Sequence, residues 1–271
     1  MPRLPLRVVL ALVWLVLVVT AAATADWLPI ADPTRQSLLE MLAAPSAEHW
    51  FGADSLGRDI FSRTIHGFRV TLAVSLGSVA LGLLCGGALG IVAGYFQGVA
   101  ERAILMGVNV LLAFPPLVLI IAMVAYPGQP LLKVIIALGI VFMPAVTRIA
   151  RANTLVYRER EFMIAARAVG MGDARLIVRE LLPNLVPALL AYSLLLVAVA
   201  ALAEAGLSFL GLSVPPPTPT LGQMMASEQS NVLEAPHAVF FPAGMLFLTI
   251  FALNVVGEEV QRRIDRRARA A

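Results

Sequence analysis

The segment 70–96, VTLAVSLGSVALGLLCGGALGIVAGYF, carries no charged side chain. About 20 apolar residues take a helix across a bilayer, and a chain in lipid must satisfy its backbone internally. The segment therefore predicts a membrane-spanning helix. Its glycines Gly82, Gly86, Gly90 and Gly94 recur at every fourth position. On a helix they form one flat stripe against which a neighbouring backbone can lie closely. The stripe predicts burial in a helix bundle and says nothing about a substrate.

Five more apolar stretches flank this one: 8–25, 103–125, 131–147, 185–202 and 239–256. Across all 271 residues the apolar share is 59% and the charged share 14%, against roughly 25% charged in a soluble domain. Mean hydropathy is +0.86. These values exclude a soluble enzyme and a disordered chain. The expected fold is an all-α membrane protein with six transmembrane helices. Basic residues divide 15 to 5 between the alternating sides of such a bundle. The positive-inside rule then puts both termini and the loop 148–184 in the cytoplasm.

The expected organisation is a cytoplasmic N-terminus (1–7), a first span (8–25), and an external loop with an amphipathic elbow (26–69). A five-helix core (70–256) follows, containing the cytoplasmic loop 148–184 and an external loop 203–238, and a basic tail (257–271) ends the chain. Arg3 and Arg7 before the first apolar run, with Ala23-Thr24-Ala25 after it, also fit a cleavable signal peptide. The length of the run favours a retained span. In the external loop Ile60, Phe61, Ile65 and Phe68 fall at helical spacing, with Asp54 or Ser55 placed to cap the helix. Such a helix would lie along the outer surface of the bilayer. Pro115-Pro116 removes backbone donors from the third span and predicts a kink near its middle, either a gating hinge or a bend accommodated by packing.

The predicted spans contain no aspartate and no histidine, so a paired-aspartate protease, an H-E-x-x-H metalloenzyme and a proton relay at mid-depth all lack their residues. The only lysine, Lys133, follows Leu131-Leu132 and belongs to no phosphate-binding loop. Cys85 is the single cysteine, and no metal site is expected. Glu204, near the outer end of the fifth span, is the one ionisable group close to the hydrocarbon. It suits a pathway or outer-gate residue, and equally a bond to backbone at the turn that begins at Gly206.

The loop 148–184 reads as two short helices. Glu161 opens the first, which bears Phe162, Ala165, Ala166 and Val169 on or near one face, and Gly170 suits the left-handed position that closes it. Asp173 is placed to cap the second, which Pro183 is expected to end. The small Ala165 and Ala166 permit close approach by a partner surface.

Ala165-Ala166, then Gly170, then Leu182-Pro183 resembles the EAA loop of ATP-binding-cassette importer permeases. Ile164 stands where that family has its glutamate, with Glu161 one turn earlier. Residues 51–63, FGADSLGRDIFSR, resemble the G-T-D-x-x-G-R-D-x-x-S-R segment of the dipeptide/oligopeptide/nickel branch, in its second ("C") subunit, with Ala53 for threonine. Residues 204–212, EAGLSFLGL, resemble its E-x-x-L-S-F-L-G-L-G segment, with Ser213 for the last glycine, and Pro215-Pro216 follow. Phe241-Pro242-Ala243-Gly244 and Asn254-Val255-Val256-Gly257 resemble its last span. Glu258-Glu259 departs from the usual Asp-Gly, and Asn109 stands where an acid is common. The resemblance runs over roughly 50–267.

The resemblance implies a type I ABC importer permease fold in a bacterial inner membrane. Two homologous permeases would form the pathway for short peptides, or for nickel or another chelated cargo, above two ATPase domains and beneath an external solute-binding protein. ATP and Mg would sit on the partner subunits, with no cofactor in this chain and no nucleic acid. Glu161, Ala165, Ala166, Arg167, Gly170, Asp173, Arg175, Leu182 and Pro183 would form the coupling region that docks on the ATPase. Glu204, Ser208, Phe209 and Pro115 are the pathway or gate candidates. A membrane enzyme and a channel without ATP coupling are the competing classes.

Overall fold

The computed structural model describes residues 4–270, with side chains through Ile264. Arg3 and the side chains of Arg266, Arg267 and Arg269, counted above among the basic residues, lie outside the described residues. The long elements are α1 (Leu6–Ala23), α2 (Ile60–Phe96), α3 (Gly98–Ala113), α4 (Pro116–Val124) and α5 (Pro130–Arg158). They are followed by α6 (Glu161–Ala168), α7 (Asp173–Leu176), α8 (Leu182–Phe209), α9 (Leu221–Ser227) and α10 (His237–Ala270). Two compact units emerge: residues up to 76 with 127–134 and 197–256, and residues 77–126 with 135–196 and the chain from 257 onward.

In the first unit, Val18 and Ala22 of α1 pack with Phe68, Ala205, Leu221 and Leu246. Trp14 Nε1 donates to Thr249 Oγ1 at 3.1 Å, tying α1 to α10 inside apolar surroundings. The Arg69 guanidinium donates to the carbonyls of Ala22 and Ala23 and pairs with Asp26. It thus satisfies acceptors that the end of α1 leaves open. The segment expected to form a separate surface elbow is instead the first turns of α2, continuous with the span. Ile60, Ile65 and Phe68 are buried by protein, which removes the reason for that face to seek lipid. The cap is Asp59, whose Oδ2 accepts from the Ser62 amide at 2.6 Å. Asp54 organises the preceding turn, accepting from the amides of Leu56 and Arg58 and from Arg58 Nε, and Ser55 donates to Glu228.

Asp59 also accepts from His49, whose Nδ1 lies 2.8 Å from its Oδ1, while Glu40 lies 3.6 Å from Nε2. The hydrogen bond to Asp59, with the charges of Asp59 and Glu40, outweighs partial burial and holds the imidazolium above its ordinary value of 6.5. The pair therefore stabilises this segment fully below that value and fades as pH rises through the raised one. Hydrogen exchange at the Ser62 amide should lose protection over that window in the wild type but not in His49→Gln. Parallel profiles would refute the pairing as the cause.

In the second unit, α2 and α5 pack along the glycine stripe. A Cβ on Gly86 would lie 2.6 Å from the Met143 carbonyl, one on Gly90 2.5 Å from that of Thr147, and one on Gly94 2.9 Å from that of Arg151. Each four-residue step on α2 matches a four-residue step on α5, so the helices run parallel with one ridge in register. Gly77 meets Ile135 at the other end of this contact. The chain leaving α2 beside Thr154 must therefore return to the level of Gly77, about 25 Å at 1.5 Å per residue, before α5 begins. Only α3 and α4 lie between. They meet at an 87° break at Pro115-Pro116, far sharper than the expected kink, yet together they carry the chain back. Five other helices are long and apolar enough to cross a membrane, and the α3–α4 pair, counted as one bent span, makes a sixth.

Helix ends differ from the hydropathy blocks. Helix α5 continues eleven residues beyond 147, to Arg158, so the non-helical parts of 148–184 shrink to short turns. Pro183 does not end a helix. A π turn, Ile177–Leu181, precedes α8, with the Leu182 amide bonding back to Ile177. The wider turn absorbs the missing proline donor and lets the helix run on to Phe209. Hydropathy marks where lipid begins, whereas caps and turn chemistry mark where helices stop.

Candidate functional site

Helix α6 begins after Arg160, whose backbone is extended, and Glu161 in its first turn complements the helix dipole. Its inward side chains are Met163, fully buried, and Ala166, packed against a core of Ile91, Tyr95, Ala150, Leu176, Leu181 and Leu185. Its exposed side chains include the apolar Phe162, 37% exposed, and Ile164, 56%, with Val169 just past its end at 82%, alongside the small Ala165 and the charged Glu161 and Arg167. A helix of this composition is held down by one residue per turn and offers the rest.

The turn after α6 is a Schellman cap. Gly170 has φ +83°, its amide donates to Arg167 and the Met171 amide donates to Ala166. Asp173 does not cap α7; Gly172 holds that position. The Asp173 carboxylate instead accepts from Tyr95 Oη at 2.6 Å, and the Arg167 guanidinium lies 5.8 Å over the same ring. Tyr95 thus fastens both sides of the turn to α2, and Arg167 is folded onto it. Arg175 and Pro183 are exposed and Leu182 is half-buried. Of the nine residues expected to couple, Arg167, Gly170 and Asp173 meet at this turn, and Ala166 and Leu182 pack on the core beneath it. Tyr95, Met163 and Leu176, which seat it, were missed, because an anchor on α2 leaves no mark in the spacing of the loop.

Three of the pathway candidates, Glu204, Ser208 and Phe209, belong to the first unit and Pro115 to the second. Glu204 is fully buried, accepting from Thr71 Oγ1 at 2.7 Å and from Ser213 Oγ at 3.0 Å. Its partners are hydroxyls, not the backbone of the turn at Gly206. Ser208 is buried against the Thr220 hydroxyl and accepts from the Gln223 amide. Gly222 lets α9 lie against this end of α8, where a Cβ would strike the Ala205 carbonyl. Phe209 is half-exposed at the end of α8, which Gly211 at φ +74° closes with a second Schellman cap. In the second unit, Pro115 is at the break between α3 and α4.

Residues 86–270 match the family model described as binding-protein-dependent transport system inner membrane component. The glutathione transport system permease protein GsiD of Pectobacterium atrosepticum is 39% identical over 221 residues, covering 82% of this chain and 73% of the relative. GsiD of an Escherichia coli O6:H1 strain is 37% identical over 256 residues, covering 94% and 84%. Among solved structures, an inward-facing MetNI methionine ABC transporter superposes with TM-score 0.63 at 17% identity, covering 76% of this chain and 97% of that one. An amino acid ABC transporter with histidines superposes at 0.58 and 18% identity, covering 75% and 94%. Glycine-striped spans, a loop that offers an apolar helix, and these likenesses agree: the chain belongs to the inner-membrane components of binding-protein-dependent transport systems, as a type I ABC importer permease of the peptide/nickel branch.

Proposed function

We propose that this permease forms half of the transmembrane pathway of an importer for short peptides, with both termini in the cytoplasm. The second half is a homologous permease, two ATPase domains carry ATP and Mg, and an external solute-binding protein delivers cargo. The offered face of α6 carries this reading. Exposed apolar side chains on a cytoplasmic helix need a protein partner, and Phe162 and Ile164 on α6, with Val169 just past its end, are exposed beside the small Ala165 and the charged Glu161. ATPase closure pulls on this patch, and the seat formed by Tyr95, Met163 and Leu176 passes the motion to α2 and α8.

Glutathione is a tripeptide, and the GsiD relatives named for its transport favour a peptide over nickel or another chelated cargo. The test is uptake in proteoliposomes holding the complete importer. Labelled glutathione should accumulate only with ATP on the ATPase side and the binding protein on the other. Nickel uptake without peptide uptake would overturn the peptide reading in favour of the metal.

A further inference from the structure

Helices α3 and α5 are joined by two polar contacts of different kinds. Arg151 pairs with Glu101, an ordinary ion pair, and Arg148 Nη2 donates to Asn109 Oδ1 at 3.0 Å. Moving from Arg151 to Arg148 goes back three residues on α5 while moving from Glu101 to Asn109 goes forward eight on α3. The helices are thus antiparallel, and at 1.5 Å per residue the steps are about 4.5 and 12 Å. The Asn109 contact thus lies about two turns farther along α3 than the Glu101 one, and Arg148, ten residues before the end of α5, is held away from that end. An arginine in lipid would snorkel the other way, to the nearby helix end. Arg148 instead holds its charge inward against a neutral amide, and no carboxylate pairs with it among the described residues.

Both Arg148 and Asn109 are exposed. Asn109 lines an open groove of about 560 Å³ with Arg102, Leu105, Met106, Val110 and Ala113. A charge on a spanning helix facing hydrocarbon is costly, and such residues face a polar cavity or a partner charge. Arg102 lines the groove, Arg148 meets it through its hydrogen bond to Asn109, and the remaining walls are apolar. That chemistry fits an anion on an otherwise uncharged backbone.

We propose that Arg148, steadied by Asn109, is a cargo-binding residue that receives the carboxylate of a short peptide as it crosses this half of the pathway. Resting on the peptide reading above, the proposal adds a residue and a recognised group to it. A guanidinium suits this task because it stays charged and offers a planar pair of donors to a carboxylate. Asn109 aims the fork without neutralising it, as an acid at that position would.

The test compares uptake of trialanine and of trialanine amide by the complete importer, for the wild type and for Arg148→Gln. Taking the ratio of wild type to variant for each cargo cancels the binding protein's own preference. The free acid should lose about tenfold or more, the scale of one charge-assisted hydrogen bond, while the amide changes little. Arg148→Lys, which keeps the charge without the fork, should fall between. Equal losses for acid and amide, as expected if Arg148 pairs with an acidic residue of the second permease, would overturn the proposal, as would no loss at all. Uptake of neither peptide by a wild-type complex that hydrolyses ATP would overturn the peptide reading itself, a result distinct from either.

Discussion

Gly90→Val is expected to remove the folded permease from the membrane, or to leave a protein that unfolds more than 10 °C below the wild type in detergent, on the order of 3 kcal/mol. A Cβ at this position would lie 2.5 Å from both the Ala150 Cβ and the Thr147 carbonyl, and 2.9 Å from the Arg151 amide nitrogen. None of these atoms is the end of a flexible side chain, so relief requires moving a helix. The move cannot stay local, because Gly86 and Gly94 hold the same two helices at similar range, one turn away on either side. In lipid the loss is direct, since helix association there rests on close packing more than on exclusion of water. Separation of α5 from α2 would also disturb the Arg151–Glu101 pair, which ties α5 to α3. Gly87→Ala is the control, because the nearest atom to its Cβ, Leu189 Cδ1, lies 3.9 Å away. Thermal unfolding of the purified variants decides the matter. An unchanged midpoint for Gly90→Val would mean that the stripe is not the contact that holds the unit.

The glycine spacing predicted that some backbone would approach α2, but it could not name α5. The match appears only when Gly139, Met143, Thr147 and Arg151 are seen to advance in step with the stripe, and those residues do not share a small-residue signature. Gly170 was legible because a helix followed by glycine and then an apolar residue is local chemistry, complete within the loop. Asp59 was not, since Asp54, Ser55 and Asp59 are all capping types and only the fold tells which of them faces the first turn. Pro183 misled for a related reason. Proline forbids the ordinary helical bond behind it, yet a π turn one residue earlier reroutes that bond, and nothing local announces the reroute. Glu204 was visible as an oddity in an apolar block. Its partner Thr71 is 133 positions distant, and an oddity alone leaves a gate and a buried hydrogen-bonded carboxylate equally open. The buried, twice-bonded carboxylate favours a bracing role for Glu204, while Phe209 and Pro115 are exposed.

Gly170→Val is expected to leave the permease inserted and its ATPase bound, and to reduce binding-protein-dependent uptake by more than about tenfold while ATP hydrolysis continues. The cause is backbone strain, not crowding, because a Cβ here would meet nothing within 4 Å. At φ +83° a β-branched side chain clashes with its own carbonyls, about 1–2 kcal/mol for an ordinary residue and more for valine. Valine escapes by turning φ negative, which opens the Schellman cap and releases the Met171 and Gly170 amides from Ala166 and Arg167. The exit from α6 then points elsewhere, and Asp173 is drawn away from the Tyr95 hydroxyl. Met163 and Leu176 remain buried in the core, so the helices keep their seats while the angle between them changes. A handle that is still attached but wrongly set should be gripped by the ATPase without turning the spans. Gly172→Val supplies the contrast: it has φ −72° and equally open surroundings, so valine fits without strain and uptake should stay within about twofold of wild type. The pair separates backbone conformation from side-chain bulk at positions two residues apart. If Gly170→Val transports as well as Gly172→Val, the left-handed turn is a feature of the fold alone and the coupling motion passes through some other contact.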